Sequence, residues 1–201
     1  MMEKPSTRDR IVAAGRRAML EQGYDGTGIG PLLASVAVPK GSFYHFFASK
    51  QHFAGAVLDA YAAQYRRQRQ ELFTDAGLSP LTRIARHLEQ VERDSVADAD
   101  VPGCLYGALA QAAPGLGEEL RAQLAEVFAS WEQDLAALIL EAQNAGEVDR
   151  ALDPVEMAAH IIDNYEGAVI RARAGDGPAA FARLRKFALA LLRGGVRAEG
   201  T

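Results

Sequence analysis

The chain has 201 residues, 49% apolar and 24% charged, with 19 Gly, 8 Pro and a single Cys. That is enough apolar material for one substantial core or two small ones, and it excludes low-complexity disorder, a collagen-like repeat and a disulfide scaffold. The net charge of -4 hides an asymmetry: residues 1–50 carry seven Lys and Arg against four Asp and Glu, a net +3, and the remainder carries 15 against 22, a net -7. A small basic head on an acidic body is what a protein needs if only the head meets phosphate. No apolar run approaches the roughly 20 residues of a membrane helix, and the N-terminus alternates charge where a signal peptide needs an apolar stretch, so a soluble, cytoplasmic protein with no membrane partner is expected. The lone Cys104 fits a reducing compartment.

No alternating β-branched run of useful length occurs, while Ala, Leu, Glu, Gln and Arg recur at helical spacing, so the chain reads as all-α. The first helix starts near Ser6 or Thr7 with Asp9 in its first turn and runs until Gly23 offers a left-handed stop; Ile11, Ala14, Ala18 and Met19 mark its buried face. A short helix from Pro31 to about Ser35 follows. After a tight turn at Val36–Val38 comes a second short helix with Pro39 as its first residue. Ser49 caps a long helix reaching about Phe73, with Phe53, Ala56, Val57, Ala60, Tyr61, Gln64 and Tyr65 stepping along its buried side.

Five further helices are expected at about 80–97, 102–112, 117–144, 154–174 and 178–193. Leu120, Leu124, Val127, Trp131, Leu135 and Leu138 line the third of these. Asp153-Pro154-Val155-Glu156 is a strong start for the fourth, because Asp caps, Pro needs no donor at the first position and Glu reaches back; Gly175-Asp176-Gly177-Pro178 stops it. No internal repeat of fixed period occurs.

The stretch from Thr27 to Phe53 is a helix-turn-helix pattern: short helix, turn, short helix, aromatic cluster, capped long helix. The second short helix of such a unit enters a major groove, so its outward side needs small or polar residues, and Lys40, Gly41, Ser42, Tyr44 and His45 supply them. Phe43, Phe46 and Phe47 face back and pin it to its neighbours. Gly41 admits close backbone approach. Lys40 and Lys50 suit phosphates, and the amide end of the long helix beside Lys50 adds positive potential.

Gly23-Tyr24, Thr27, Val38 to Phe47 and Ser49-Lys50 resemble the DNA-binding segment of TetR-type transcriptional repressors. The motif match covers about residues 7–60; the remainder is similar to that family in length, helix order and the 146–158 stretch. The resemblance implies a three-helix DNA-binding domain over residues 1–50, joined by a long helix to a ligand-binding and dimerisation domain over 51–201. It implies a homodimer on a palindromic double-stranded DNA operator, released when a small-molecule effector occupies the C-terminal pocket. Thr27 is then the phosphate-binding cap of the second helix, and Lys40, Ser42, Tyr44, His45 and Lys50 are operator contacts. Gly28 and Gly30-Pro31 depart from the family by replacing better helix formers, and Ala37 stands where a turn glycine is usual, so a shortened or distorted second helix is expected.

Cys104 is placed in the first turn of a helix, where unpaired amides favour a thiolate. Together with the Pro-Lys-Gly-Ser-Phe-Tyr-His string, Gly103-Cys104-Leu105 is similar to a branch of the family containing electrophile- or acrylate-responsive repressors, which makes Cys104 an effector-sensing candidate. The other reading is a buried Cys filling the gap between Gly103 and Gly107. His87, Trp131, His160, Asn164, Tyr165 and Arg171 are polar or amphipathic groups on apolar helices and are candidates to line an effector cavity, although Trp131 fits the core stripe equally well.

Glu156 and His160 lie one turn apart with no second pair, so no metal is expected, and no cofactor. Ala158, Ile161, Ile162, Tyr165, Ala168 and Val169, followed by Phe181, Leu184, Phe187, Ala188, Leu191 and Leu192, exceed what one partner helix covers and suggest a four-helix interface across a two-fold axis. The competing readings are a small helical enzyme with Cys104 as nucleophile and His87 or His160 as base, which no oxyanion-hole loop or orienting acid supports, and a helical adaptor with a vestigial head.

Overall fold

The computed structural model describes residues 5–96 and 103–194. Among them no strand occurs. In chain order the helices are α1 (Thr7–Gly26), α2 (Ile29–Ser35), a 3-10 turn (Lys40–Ser42) running into α3 (Phe43–Phe46), α4 (Lys50–Phe73), α5 (Pro80–Val96), α6 (Leu105–Gln111), a 3-10 turn (Ala113–Gly115), α7 (Glu118–Asn144), α8 (Pro154–Arg171), a π-helical stretch (Ala172–Asp176) and α9 (Pro178–Leu192). The expected helix end at 97 and helix start at 102 lie outside the described residues. The chain forms two compact units, Met1–Tyr65 with Cys104–Phe128 and Arg66–Gly103 with Ala129–Thr201.

In the first unit, α1 opens with a reciprocal cap. The Ser6 hydroxyl accepts from the Asp9 amide at 3.1 Å, and the Asp9 carboxylate accepts from the Ser6 amide at 3.2 Å, which satisfies two otherwise orphaned donors. The helical pattern extends to Gly26, but Gly23 has φ 72° and ψ 173°, a kink that glycine accommodates without a Cβ clash. The buried face of α1 is Ile11, Val12, Gly15, Met19 and Leu20, whereas Ala14 and Ala18 are only half-buried. On α4, Ala54 and Leu58 join Phe53 and Val57 in the core; Ala60 is exposed, and Gln64 and Tyr65 are half-buried. Gly15 marks close packing here, since a Cβ on it would lie 2.3 Å from the Phe53 ring and 2.8 Å from Val57. α6 packs against α1.

In the second unit, α9 packs on both α8 and α5. Asp153 caps α8 by accepting from the amides of Val155 at 2.8 Å and Glu156 at 3.2 Å, with Pro154 at the first position. Gly175 (φ 103°) and Gly177 (φ 52°) end the helical run. Buried Arg83 binds Glu141 with two parallel bonds of 3.0 Å and donates to the carbonyls of Phe73 and Leu78, tying the α4–α5 turn to α7. The apolar stripe of α8 and α9 is mostly covered within this unit: Ala158, Ile161, Ile162, Tyr165, Ala168, Val169, Phe181, Leu184, Ala188 and Leu192 are all buried. Ile170 and Phe187 stay exposed, and Leu191 is half-buried. The expected surplus of apolar surface is therefore smaller than periodicity implies, because three helices share it.

Candidate nucleic-acid interface

The site is built around the turn between α2 and α3. Helix α2 starts at Ile29, two residues before the expected start. Gly28 is its N-cap, and the Leu32 amide donates to the Gly28 carbonyl at 3.1 Å. Pro31 sits third in the helix, where no intrahelical donor is needed, so the proline neither shortens nor distorts α2. Thr27 is not the cap either. It is 1% exposed, and its hydroxyl donates to the Gly23 carbonyl at 2.7 Å, closing the end of α1.

Helix α2 ends in a Schellman closure: the Val38 amide donates to the Leu33 carbonyl at 3.0 Å and the Ala37 amide to that of Ala34 at 3.1 Å. The closure demands a left-handed residue, and Ala37 provides it with φ 51°.

Helix α3 is a single short turn on an aromatic base. Phe43 and Phe47 are essentially fully buried, with ring centroids 5.3 Å from each other and 5.4 and 5.0 Å from Phe53. Phe46 is half-buried. On the opposite side Lys40, Gly41, Tyr44 and His45 are exposed, Tyr44 to 65%, and Ser42 is half-buried. These five residues form one outward edge, as the sequence leads one to expect.

Lys50 opens α4, capped by Ser49, whose hydroxyl accepts from the His52 amide at 3.0 Å. Its ammonium donates to the Asp25 carbonyl at 3.2 Å and lies 4.7 Å from the Tyr24 ring centroid, so it ties α4 to the end of α1. Sequence reasoning missed two cations of α1. The Arg8 guanidinium lies 5.6 Å from the Phe47 ring centroid, and Arg10 donates to the Val36 carbonyl. The charge at these positions was visible, but a partner 26 or 39 residues away was not.

This architecture has a family. The model of the tetR family of bacterial regulatory proteins matches residues 11–57, and that of the tetracyclin repressor-like C-terminal domain matches residues 80–188. The chain belongs to the TetR family. It is similar to the transcriptional regulator AcuR of Cereibacter sphaeroides, 34% identical over 81% of this chain and 74% of that protein. It is also similar to the transcriptional repressor DhaR of a Mycobacterium species, 30% identical over 85% and 84%. A crystal structure of a TetR regulatory protein from Rhodobacter sphaeroides superimposes with a TM-score of 0.86 at 31% identity, covering 90% of this chain and 96% of that one. As a TetR-family member the chain is a DNA-binding transcriptional regulator, and its relatives are regulators and not enzymes.

The effector candidates of this TetR-family chain fall in three places. Cys104 is in the first unit, 3% exposed, at the N-cap of α6 and not in its first turn; the Tyr61 hydroxyl lies 3.9 Å from its sulfur. His87, Trp131 and Tyr165 are buried together in the second unit. The Trp131 indole N–H donates to His87 Nε2 at 3.0 Å, the Trp131 and Tyr165 rings meet edge-on at 5.2 Å, and Tyr165 shares a 2.9 Å hydrogen bond with Ser95. His160, Asn164 and Arg171 are exposed and line a groove of about 430 Å³ on α8 and α9.

The enzyme reading is set aside by the family and by the named relatives, which are DNA-binding regulators; His87 Nε2 accepts from the Trp131 indole, and the Tyr61 hydroxyl lies 3.9 Å from the Cys104 sulfur. Among the described residues no cluster has metal-ligand composition, and no helix is long and apolar enough to cross a membrane.

Proposed function

We propose that two copies of this chain bind a palindromic operator, each inserting the edge Lys40-Gly41-Ser42 with Tyr44 and His45 into a major groove, and that a small-molecule effector lowers this affinity and relieves repression. The observation that carries the reading is the two-sided α3: a fully buried Phe43/Phe47 base fixes the element while Tyr44 stands 65% exposed on the other side. Residues 1–50 are assigned to DNA and 51–201 to effector and dimer contacts. Phe187 and Ile170, 55% and 54% exposed on α9 and α8, support a two-fold pairing of these helices. With that pairing the two heads are assigned to successive major grooves, about 34–36 Å apart on the duplex. Lys50 is assigned to a phosphate once it leaves Asp25. Thr27, buried with its hydroxyl on the Gly23 carbonyl, is assigned to closing the end of α1 rather than to a phosphate.

The effector class is small electrophiles and acrylate-like molecules, following the resemblance in the Pro39 to His45 string. Its binding works by population shift: affinity for DNA falls by the effector's preference for the non-binding state. Bacterial cytoplasm is where such a regulator meets its operator.

A mobility shift on the DNA flanking the protein's own coding region, repeated across salt, tests the assignment. Retention with a steep salt dependence is expected. Tyr44→Ala costs about 5- to 150-fold, the size of one base contact, and Lys50→Ala lowers the log–log salt slope by about one. Failure to retain any duplex at moderate salt refutes it.

A further inference from the structure

We propose that Arg8 and Arg10, in the first residues of α1, are positioning residues that hold the segment carrying the recognition helix from both sides, Arg10 through the Val36 carbonyl at the α2 closure ahead of it and Arg8 through the Phe47 ring at its far end. The proposal rests on α3 being the element that reads the operator.

A four-residue helix extended by one 3-10 turn is far too short to hold itself, so its direction depends on how its ends are attached. The upstream attachment is the closure of α2, which passes through Ala37 at φ 51°, a conformation that works against a side chain. Val36 is the C-cap residue of α2, and its carbonyl belongs to the end of the helix where acceptors lack donors and the dipole is negative. The Arg10 guanidinium supplies both a donor and a positive charge there.

The downstream attachment is Phe47, the C-cap residue of α3, which is 1% exposed and packed on Phe43 and Phe53. Arg8 sits over its ring. Between the two arginines, Asp9 is engaged with Ser6 in the reciprocal cap, which fixes the turn from which both side chains reach. Arg8 and Arg10 therefore join the capped start of α1 to the turn before the recognition helix and to its far end.

Lysine replacements test this, because they keep the charge but lose the planar stacking surface and the forked donor. In the DNA-free Arg8→Lys/Arg10→Lys protein, amide exchange over Phe43–Phe47 is expected to accelerate about tenfold, with the buried amides of α8 unchanged. Preference for a duplex selected by the wild type from a random pool, over the same duplex scrambled, is expected to fall about tenfold while the salt slope stays put.

Unchanged exchange overturns the proposal. So does the phosphate-contact pattern, in which the Lys pair behaves as wild type and Arg8→Ala/Arg10→Ala lowers the slope by about two with selectivity intact. If Tyr44→Ala leaves selectivity untouched, the operator-reading assignment of α3 is what fails, and the exchange data still judge the clamp on their own.

Discussion

The indole N–H of Trp131 donates to Nε2 of His87 at 3.0 Å, joining residues 44 positions apart inside the second unit. The acceptor role requires a neutral imidazole with its proton on Nδ1. Burial, and then the neighbouring Arg69 guanidinium, hold the His87 pKa down at about 3, against 6.5 for a free histidine. Arg69 is itself held by the Asp134 carboxylate at 3.0 and 3.1 Å.

Stability therefore depends on acid in one direction. Above pH 6.5 His87 is neutral in folded and unfolded chains alike and contributes no pH dependence. As pH falls below 6.5 toward 3, only the unfolded chain takes up the proton, and folding stability drops by up to about 1.4 kcal/mol per pH unit from this group. Urea unfolding at pH 7.5 and 5.5 measures the loss. His87→Gln, which keeps an acceptor for the indole and cannot be protonated, is expected to show a smaller loss than the wild type over that interval.

Ala37 is the one non-glycine residue with positive φ among those described. Replacing it with glycine removes the Cβ strain but frees the unfolded chain, so Ala37→Gly is expected to stabilise by about 0.5–1 kcal/mol net. A melting temperature a few degrees higher confirms this, and a lower one shows that the closure is not strained.

Gly15 makes the opposite case. Alanine is the better helix former by about 1 kcal/mol, yet its Cβ would sit 2.3 Å from Phe53, a fully buried ring. Overpacking of that kind costs about 1–3 kcal/mol, so Gly15→Ala is expected to destabilise in equilibrium unfolding despite the propensity gain.

Cys104 is buried and its sulfur faces the Tyr61 hydroxyl. Maleimide labelling of the native protein is expected to be at least about tenfold slower than of the urea-unfolded chain, because the thiol reacts only when the first unit opens. Equal rates would place the thiol in reach of solvent and strengthen its assignment as the reactive sensor.

The caps at Ser49 and Asp153 were legible in the sequence, and the one at Ser6 to within a residue, with Thr7 as the other choice, because a hydroxyl or carboxylate just ahead of free amides is a local pattern. So was the division of Lys40 to Phe47 into an outward and an inward side, since one helical turn decides it. Pro31 misled, because a proline in the first turn and a proline at the first position leave the same sequence trace, and only the Leu32–Gly28 bond separates them. Periodicity along α8 and α9 showed that a face is buried but not that α5 does part of the covering. The effector candidates were chosen as polar groups on apolar helices, a criterion that knows nothing of long-range partners; the structure sends them to three places.

A photoactivatable phenylalanine analogue at position 44 tests the central claim most directly. On irradiation with bound operator duplex, crosslinks are expected to bases at two symmetric positions about one helical turn apart. Crosslinks confined to the protein itself, with the duplex still retained, would contradict the assignment of α3 as the reading element.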